Sequence, residues 1–348
     1  MNEPQLKKKP KPKNILDNLA EYPRLNDIFV WSDYVEIRCF VHPDGLFSRS
    51  SLSETTEEME EVVGDIDLEV PDEEREEDEE EAHDDEGFDN SPPEKQDRRS
   101  RKAAEVFSHI RVRSHLFGDD LYPFIVDDES KSISLKEELT EWHYVYLQLL
   151  ISSALRYVPH TRRQEVTDKF EVVSHEIFKQ LMPAGWEVHQ FGKNSSTRYT
   201  GHLFDKLTAL AADVRGMITC LKKDFDENDR GDGGLDLVAW HPMGDSRRSM
   251  PIAFAQCGCT ADSYGPKTLD ASPAMLGNKI AVAHRWATYY FMPQSLHDGT
   301  DWIGFKKFGS AIVLDRYRIL MLAHQYAVKA SSLYIPALIT EARALSYS

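Results

Sequence analysis

The sequence predicts an α/β protein, and three observations carry that expectation. Residues 235–240 (LDLVAW) and 252–257 (IAFAQC) are short, almost wholly apolar, and bounded by Gly, Pro and Asp. Near-continuous apolarity at strand length marks strands covered on both faces, the habit of α/β sheets. Ahead of them, Val166, Phe170, Val173, Ile177 and Leu181 recur at spacings of four, three, four and four, which is one apolar stripe of a helix. Residues 310–314 form a third strand-like segment, followed by a helical pattern over 317–328.

The remaining elements follow in chain order. Residues 1–13 are rich in Lys and Pro and read as a disordered basic arm. Residues 14–53 read as a small N-terminal module, with strand-like stretches over 26–40 (DIFVW, YVEIRCFV) and a turn at His42-Pro43-Asp44-Gly45. So small a unit buries little core alone and is expected to dock on the rest. Residues 54–101 read as a disordered acidic linker, because few apolar groups at high charge cannot offset chain entropy. A helical region over 102–160 contains a long helix at 135–158. After the Val166–Leu181 stripe, Pro183 and Gly185 end the helix and 186–191 has strand character. Helical patterns cover 203–222 and 273–291, separated by an Asp- and Gly-rich loop over 224–234 and the two apolar strands.

Charge excludes less than its total suggests. The chain of 348 residues has a formal net charge of −18. Residues 51–100 hold 23 acids against four bases, a net of −19, leaving 37 bases against 36 acids elsewhere. The body is therefore near neutral, and a nucleic-acid partner is not ruled out. The longest apolar run, 144–155, is about a dozen residues against the roughly 20 a membrane span needs. The N-terminus has no signal-peptide pattern. The four cysteines make neither a disulfide framework nor a paired zinc motif, so a cytoplasmic setting is expected. No P-loop and no G-x-S-x-G elbow occurs. His241 and His284 lack a partner at the spacing of a helical zinc site.

Three polar residues intrude on the apolar pattern. Asp236 opens the first strand, on the face of Val238 and Trp240. Gln256 ends the second, on the face of Ile252 and Phe254, and Glu171 sits beside the helix stripe. Buried polar groups need partners, and a metal ion satisfies a lone carboxylate.

The ordered set Lys169-Phe170-Glu171, then GDGGLDLVAW (231–240), then IAFAQCG (252–258) resembles the PD-(D/E)XK nuclease superfamily, in its Mrr-type, restriction-endonuclease-like branch. A later Val313-Leu314-Asp315-Arg316-Tyr317-Arg318-Ile319 phrase is similar to one carried by bacterial defence proteins of this kind. The likeness covers roughly residues 165–320. It implies a restriction-endonuclease-like core over 161–348, a mixed central sheet flanked by helices. It implies a metal-dependent DNA endonuclease of anti-phage defence, with Mg²⁺ or Mn²⁺ held by Glu171, Asp236 and Gln256. The hard oxygen ligands of such a set suit Mg²⁺. The family's lysine falls at Gly258, so the resemblance implies a displaced cation, Lys267 in preference to Lys279. A nuclease fold that lost catalysis and serves as a DNA-binding or assembly subunit is the alternative.

The partners implied are DNA and a separate sensor or NTPase protein, with no membrane; self-association is left open. Arg162, Arg163, Lys193, Arg198, Arg230, Arg247 and Arg248 flank the proposed centre as candidate phosphate contacts. The acidic tract reads as a solvated linker, or as an occupant of a basic cleft.

Overall fold

The computed structural model describes residues 14–21, 23, 27–63, 92–127, 129, 131–192, 198–226, 231, 233–260, 270–297, 302, 308–345 and 347. Its first half runs α1 (Ile28–Val41), β1 (Leu46–Ser48), α2 (Arg49–Val63), α3 (Pro92–Leu121), β2 (Phe124–Val126), β3 (Ser132–Leu135) and α4 (Glu141–Ser153). Its second half runs α5 (Arg163–Leu181), β4 (Glu187–Gln190), α6 (Leu203–Asp213), β5 (Met217–Ile218), β6 (Leu237–Trp240), β7 (Ile252–Cys257), β8 (Ile280–Ala281), β9 (Ala287–Phe291), β10 (Ile312–Leu314), α7 (Arg316–Gln325) and α8 (Pro336–Arg343). The protein is mixed α/β, with a mixed sheet flanked by helices.

That sheet has five strands in the order β10-β9-β7-β6-β4. β4 and β6 pair antiparallel, as do β6 and β7, whereas β7, β9 and β10 run parallel. Side chains alternate across each strand. Leu237, Ala239, Ala253 and Ala255 therefore join the core that includes Val166, Phe170, Val173 and Ile177 of α5. Val238, Trp240, Ile252 and Phe254 point the other way, onto Leu203, Leu207 and Leu210 of α6. Four members of the α5 stripe, Val166, Phe170, Val173 and Ile177, are buried as their spacing predicted, and Leu181 at its end is half-buried. Each fully buried side chain contributes about 1.5–3 kcal/mol. Three-stranded β1-β3-β2 and two-stranded β5-β8 sheets complete the strands among the described residues.

The N-terminal module corrects the strand expectation for 26–40. That stretch is α1, opened by the Asp27 side chain accepting from the Phe29 backbone N–H. Its aromatic and β-branched residues suit a strand, but burial on nearly every side overrides that preference. Trp31, Tyr34, Val35, Ile37 and Phe40 belong to the same core as α4, α5 and the sheet, so the module is docked rather than separate.

A buried charge network fastens α1. Asp33 and Glu36 lie one helical turn apart on a shared face. Arg113 of α3 donates to Asp33 Oδ1 (2.6 Å) and Glu36 Oε1 (3.1 Å), and Arg316 of α7 to Asp33 Oδ2 (2.8 Å). Tyr122 and Tyr146 donate to Glu36, and Ser153 to Asp33. Burial pushes the Asp33 carboxyl pKa up, but the guanidinium of Arg316, then that of Arg113, overturns this and holds it below its ordinary value.

Other boundaries also move. The 135–158 helix shrinks to α4, because Leu135 pairs in β3 and Thr140 caps the helix, accepting from His143 N–H. The 203–222 helix stops at Asp213, and the chain turns into β5 through Arg215 at φ 53°. Residues 273–291 are not a helix. They end in β9, whose Thr288-Tyr289-Tyr290-Phe291 run pairs in parallel with β7. Both ends of the supposed acidic linker are helical, in α2 and α3. Its centre, 64–91, lies outside the described residues, as does the basic arm 1–13.

Candidate active site

Parallel strands β7 and β9 end side by side at Cys257 and Phe291. The carboxyl ends of strands are where open α/β sheets usually take ligands. A cavity of about 270 Å³ opens there, lined by Glu171, Asp236 and Gln256 together with Phe170, Gly258 and Thr260. Three side chains far apart in sequence thus share one cavity. Asp236 and Gln256 are each 7% exposed, and Glu171 is half-buried at the edge of α5.

The local fold dictates each placement. β6 and β7 pair with Leu237 opposite Ala255, so one step of register sets Asp236 across from Gln256. At that step the ladder changes hands. The Asp236 N–H still donates to Ala255 O (3.0 Å), but its carbonyl accepts from Phe191 N–H (2.6 Å) instead of from β7. The Cys257 N–H is met by the Asp236 carboxylate, Oδ2 accepting at 2.7 Å. The acid is thereby anchored on the end of the neighbouring strand. Burial, then the Asp236 charge, raises the Cys257 thiol pKa well above the ordinary value, which favours the thiol over the thiolate.

Gln256 has a partner that sequence reasoning missed. Its Nε2 donates to Asp270 Oδ2 (3.3 Å), while its Oε1 is buried with no hydrogen-bond partner among the described residues. Asp270 lies 14 residues downstream in a loop, and no spacing or periodicity marks it. Tyr290 was missed as well, because it fell within the stretch read as helix. A Cβ added at Gly258 would sit 2.0 Å from the Tyr290 hydroxyl. No side chain fits there unless Tyr290 moves, so the space beside position 258, where the resemblance would put a lysine, is taken by a side chain of β9. Burial above all, then Cys259, Cys257 and Asp236, pushes the Tyr290 phenol pKa up, so it stays protonated.

The two candidate lysines fare differently. Lys267 lies outside the described residues. Lys279 is not among the residues lining the cavity. Its ammonium lies 5.9 Å from the centroid of the Phe225 ring and 3.5 Å from a Cβ built on Gly233.

Several of the candidate phosphate contacts are engaged with protein groups. Arg162 pairs with Glu341 (2.7 Å) and Glu165 (2.9 Å), and Arg198 with Asp213 (2.6 Å). Arg163 donates to Val158 O (3.1 Å), and Arg247 stands 3.8 Å from Asp245. Lys193 and Arg230 lie outside the described residues. In the Val313–Ile319 phrase, Asp315 caps α7, accepting from Arg318 N–H (3.0 Å), and Arg316 is spent in the α1 network. That phrase serves architecture in this chain. His241 accepts from Met243 N–H (3.0 Å) within its own turn.

Among the described residues, no three His, Cys, Asp or Glu side chains gather as a ready metal cage. The oxygens of the residues that line the cavity are of another kind: two carboxylates and one amide oxygen, the last buried with no hydrogen-bond partner among the described residues. This suits a hard cation such as Mg²⁺, which keeps several waters and uses one or two protein carboxylates plus a substrate phosphate. Comparison with protein-family models, curated proteins and solved structures gave no match to this chain. No described helix is long and apolar enough to cross a membrane.

Proposed function

We propose that the chain is an endonuclease hydrolysing DNA phosphodiester bonds with Mg²⁺ or Mn²⁺, on a restriction-endonuclease-like core, in bacterial anti-phage defence. One observation carries the reading: Glu171, Asp236 and Gln256, picked out as polar intrusions and by the resemblance, line a single cavity at the carboxyl end of β7. The order of elements is a second support for this reading. The chain runs from helix α5, with its Glu, through antiparallel β4, β6 and β7, to a parallel strand.

In this reading Asp236, Glu171 and the Gln256 oxygen hold the cation. When bound, the ion neutralises charge that builds on the scissile phosphate. The protein's own part is to keep these oxygens fixed. The Cys257 N–H steadies Asp236, and packing of Phe170 against the core sets the edge of α5 that carries Glu171.

The occupied position at Gly258 favours a second reading, a nuclease-fold subunit that binds DNA without cutting it. Supercoiled plasmid incubated with Mg²⁺ or Mn²⁺ separates the two. Nicking by the native chain that falls by at least about a hundredfold in Asp236→Ala, the scale of losing a group that stabilises the transition state, supports the enzyme. No cleavage with either metal, but retained DNA binding, supports the second reading.

A further inference from the structure

We propose that Asp270 is a positioning residue that turns Gln256 into an oxygen ligand for a divalent cation. This rests on reading the cavity as a cation site. A primary amide has a donor end and an acceptor end, whereas an ionised carboxylate only accepts. The Asp270 carboxylate therefore selects the Nε2 end of Gln256, at 3.3 Å. The Oε1 end must then face away, and it is buried with no hydrogen-bond partner among the described residues, on a side chain that lines the cavity. With the amide reversed, two oxygens would oppose each other. The buried acceptor is held ready for a positive charge.

The seat of Asp270 is built into the backbone. A Cβ placed on Gly234 would lie 2.4 Å from Asp270 Cβ and 2.9 Å from its Oδ2. Gly234 also has φ +82°, a conformation glycine adopts without strain. The residue two before Asp236 is thus the one that admits Asp270 to the site. One short phrase supplies a carboxylate to the cavity and makes room for another behind Gln256. A glutamate at 256 would set acceptor oxygens against the Asp270 acceptor, with no hydrogen to bond them. The negative charge sits on Asp270, and the amide relays an oxygen to the cavity.

The test is Mn²⁺ binding to the full chain by isothermal titration calorimetry, with thermal melting recorded beside it. In Asp270→Asn the neutral amide can donate to Oε1 as readily as it accepts from Nε2, so the orientation is lost. Affinity should fall by about tenfold or more, the scale for loss of a residue that orients a ligand. Gln256→Glu should also weaken binding, through repulsion from Asp270. The double variant should recover affinity to near the native value, because the amide introduced at position 270 can donate to one oxygen of the carboxylate introduced at 256 and leave the other for the ion. A merely structural Asp270 would not produce that rescue. Unchanged affinity in Asp270→Asn, or a double variant no better than the weaker single one, overturns the proposal. Asp236→Ala distinguishes failure of the underlying reading: if the native chain binds no Mn²⁺, or Asp236→Ala binds it equally well, the cation site itself is wrong and the role of Asp270 falls with it.

Discussion

Two clusters of buried polar side chains lie on this fold, and they are finished differently. Around α1, Asp33 and Glu36 meet Arg113 and Arg316, and the hydroxyls of Tyr122, Tyr146 and Ser153 complete the carboxylates. Arg113 Nε is the one atom of the two guanidinium groups left without a bond among the described residues. At the carboxyl end of β7, Asp236 and Glu171 line an open cavity and the Gln256 oxygen has no hydrogen-bond donor among the described residues. The same residue types fasten a helix in one place and line an unfilled space in the other. Buried charges that satisfy one another are architecture, whereas a buried acceptor without a donor beside a cavity still calls for a partner.

The comparison breaks most visibly at Arg316. Arg316→Met leaves Asp33 and Glu36 short of a cation in the core, and unfolding in urea should show a loss of about 3–5 kcal/mol. Asp236→Asn should cost far less, since an amide oxygen can still accept from Cys257 N–H. Equal losses would erase the distinction between the clusters.

A smaller effect probes the cavity side. Gly258→Ala forces a methyl against the Tyr290 hydroxyl and should cost about 1–3 kcal/mol, the usual range for overpacking. Adding Tyr290→Phe should return part of it, because the hydroxyl is the nearest atom. A melting temperature unchanged by Gly258→Ala would mean that β9 yields and a side chain fits there after all.

The most gradual effect is a dependence on pH that belongs to the α1 side. His109 is buried near Arg113, its Nδ1 accepting from Ser32 (2.7 Å) and its Nε2–H donating to His297 O (2.6 Å). Burial first, then Arg113, lowers its pKa from 6.5 to about 3. Between those values the unfolded chain holds the proton and the folded chain does not. Stability from this group is thus complete above 6.5 and declines as pH falls toward 3, by at most about 1.4 kcal/mol per pH unit. His109→Gln should flatten the slope of unfolding free energy between about pH 6.5 and 5. An unaltered slope would place the titration elsewhere.

How far the sequence could be read follows from what each element depends on. The α5 stripe and the strands β6 and β7 were legible because apolar periodicity and turn residues are local signals. The α1 helix was not. Its aromatic and β-branched residues read as strand, and the spacing of three between Asp33 and Glu36 gains meaning only once Arg113 and Arg316, distant in sequence, arrive on that face. β9 was misread for a related reason: its strand state comes from pairing with β7, a contact across a loop.

The site divides along the same line. Sequence by itself singled out Glu171, Asp236 and Gln256 and their order, because polar intrusions in apolar elements stand out along the chain. It also determined that position 258 carries no lysine. Only the tertiary structure decided that the three share one cavity, that the Tyr290 hydroxyl fills the space beside Gly258, and that Asp270 sets the direction of the Gln256 amide. Those depend on through-space approaches between strands and a loop, and a hydrogen bond or a steric contact leaves no periodic trace in sequence.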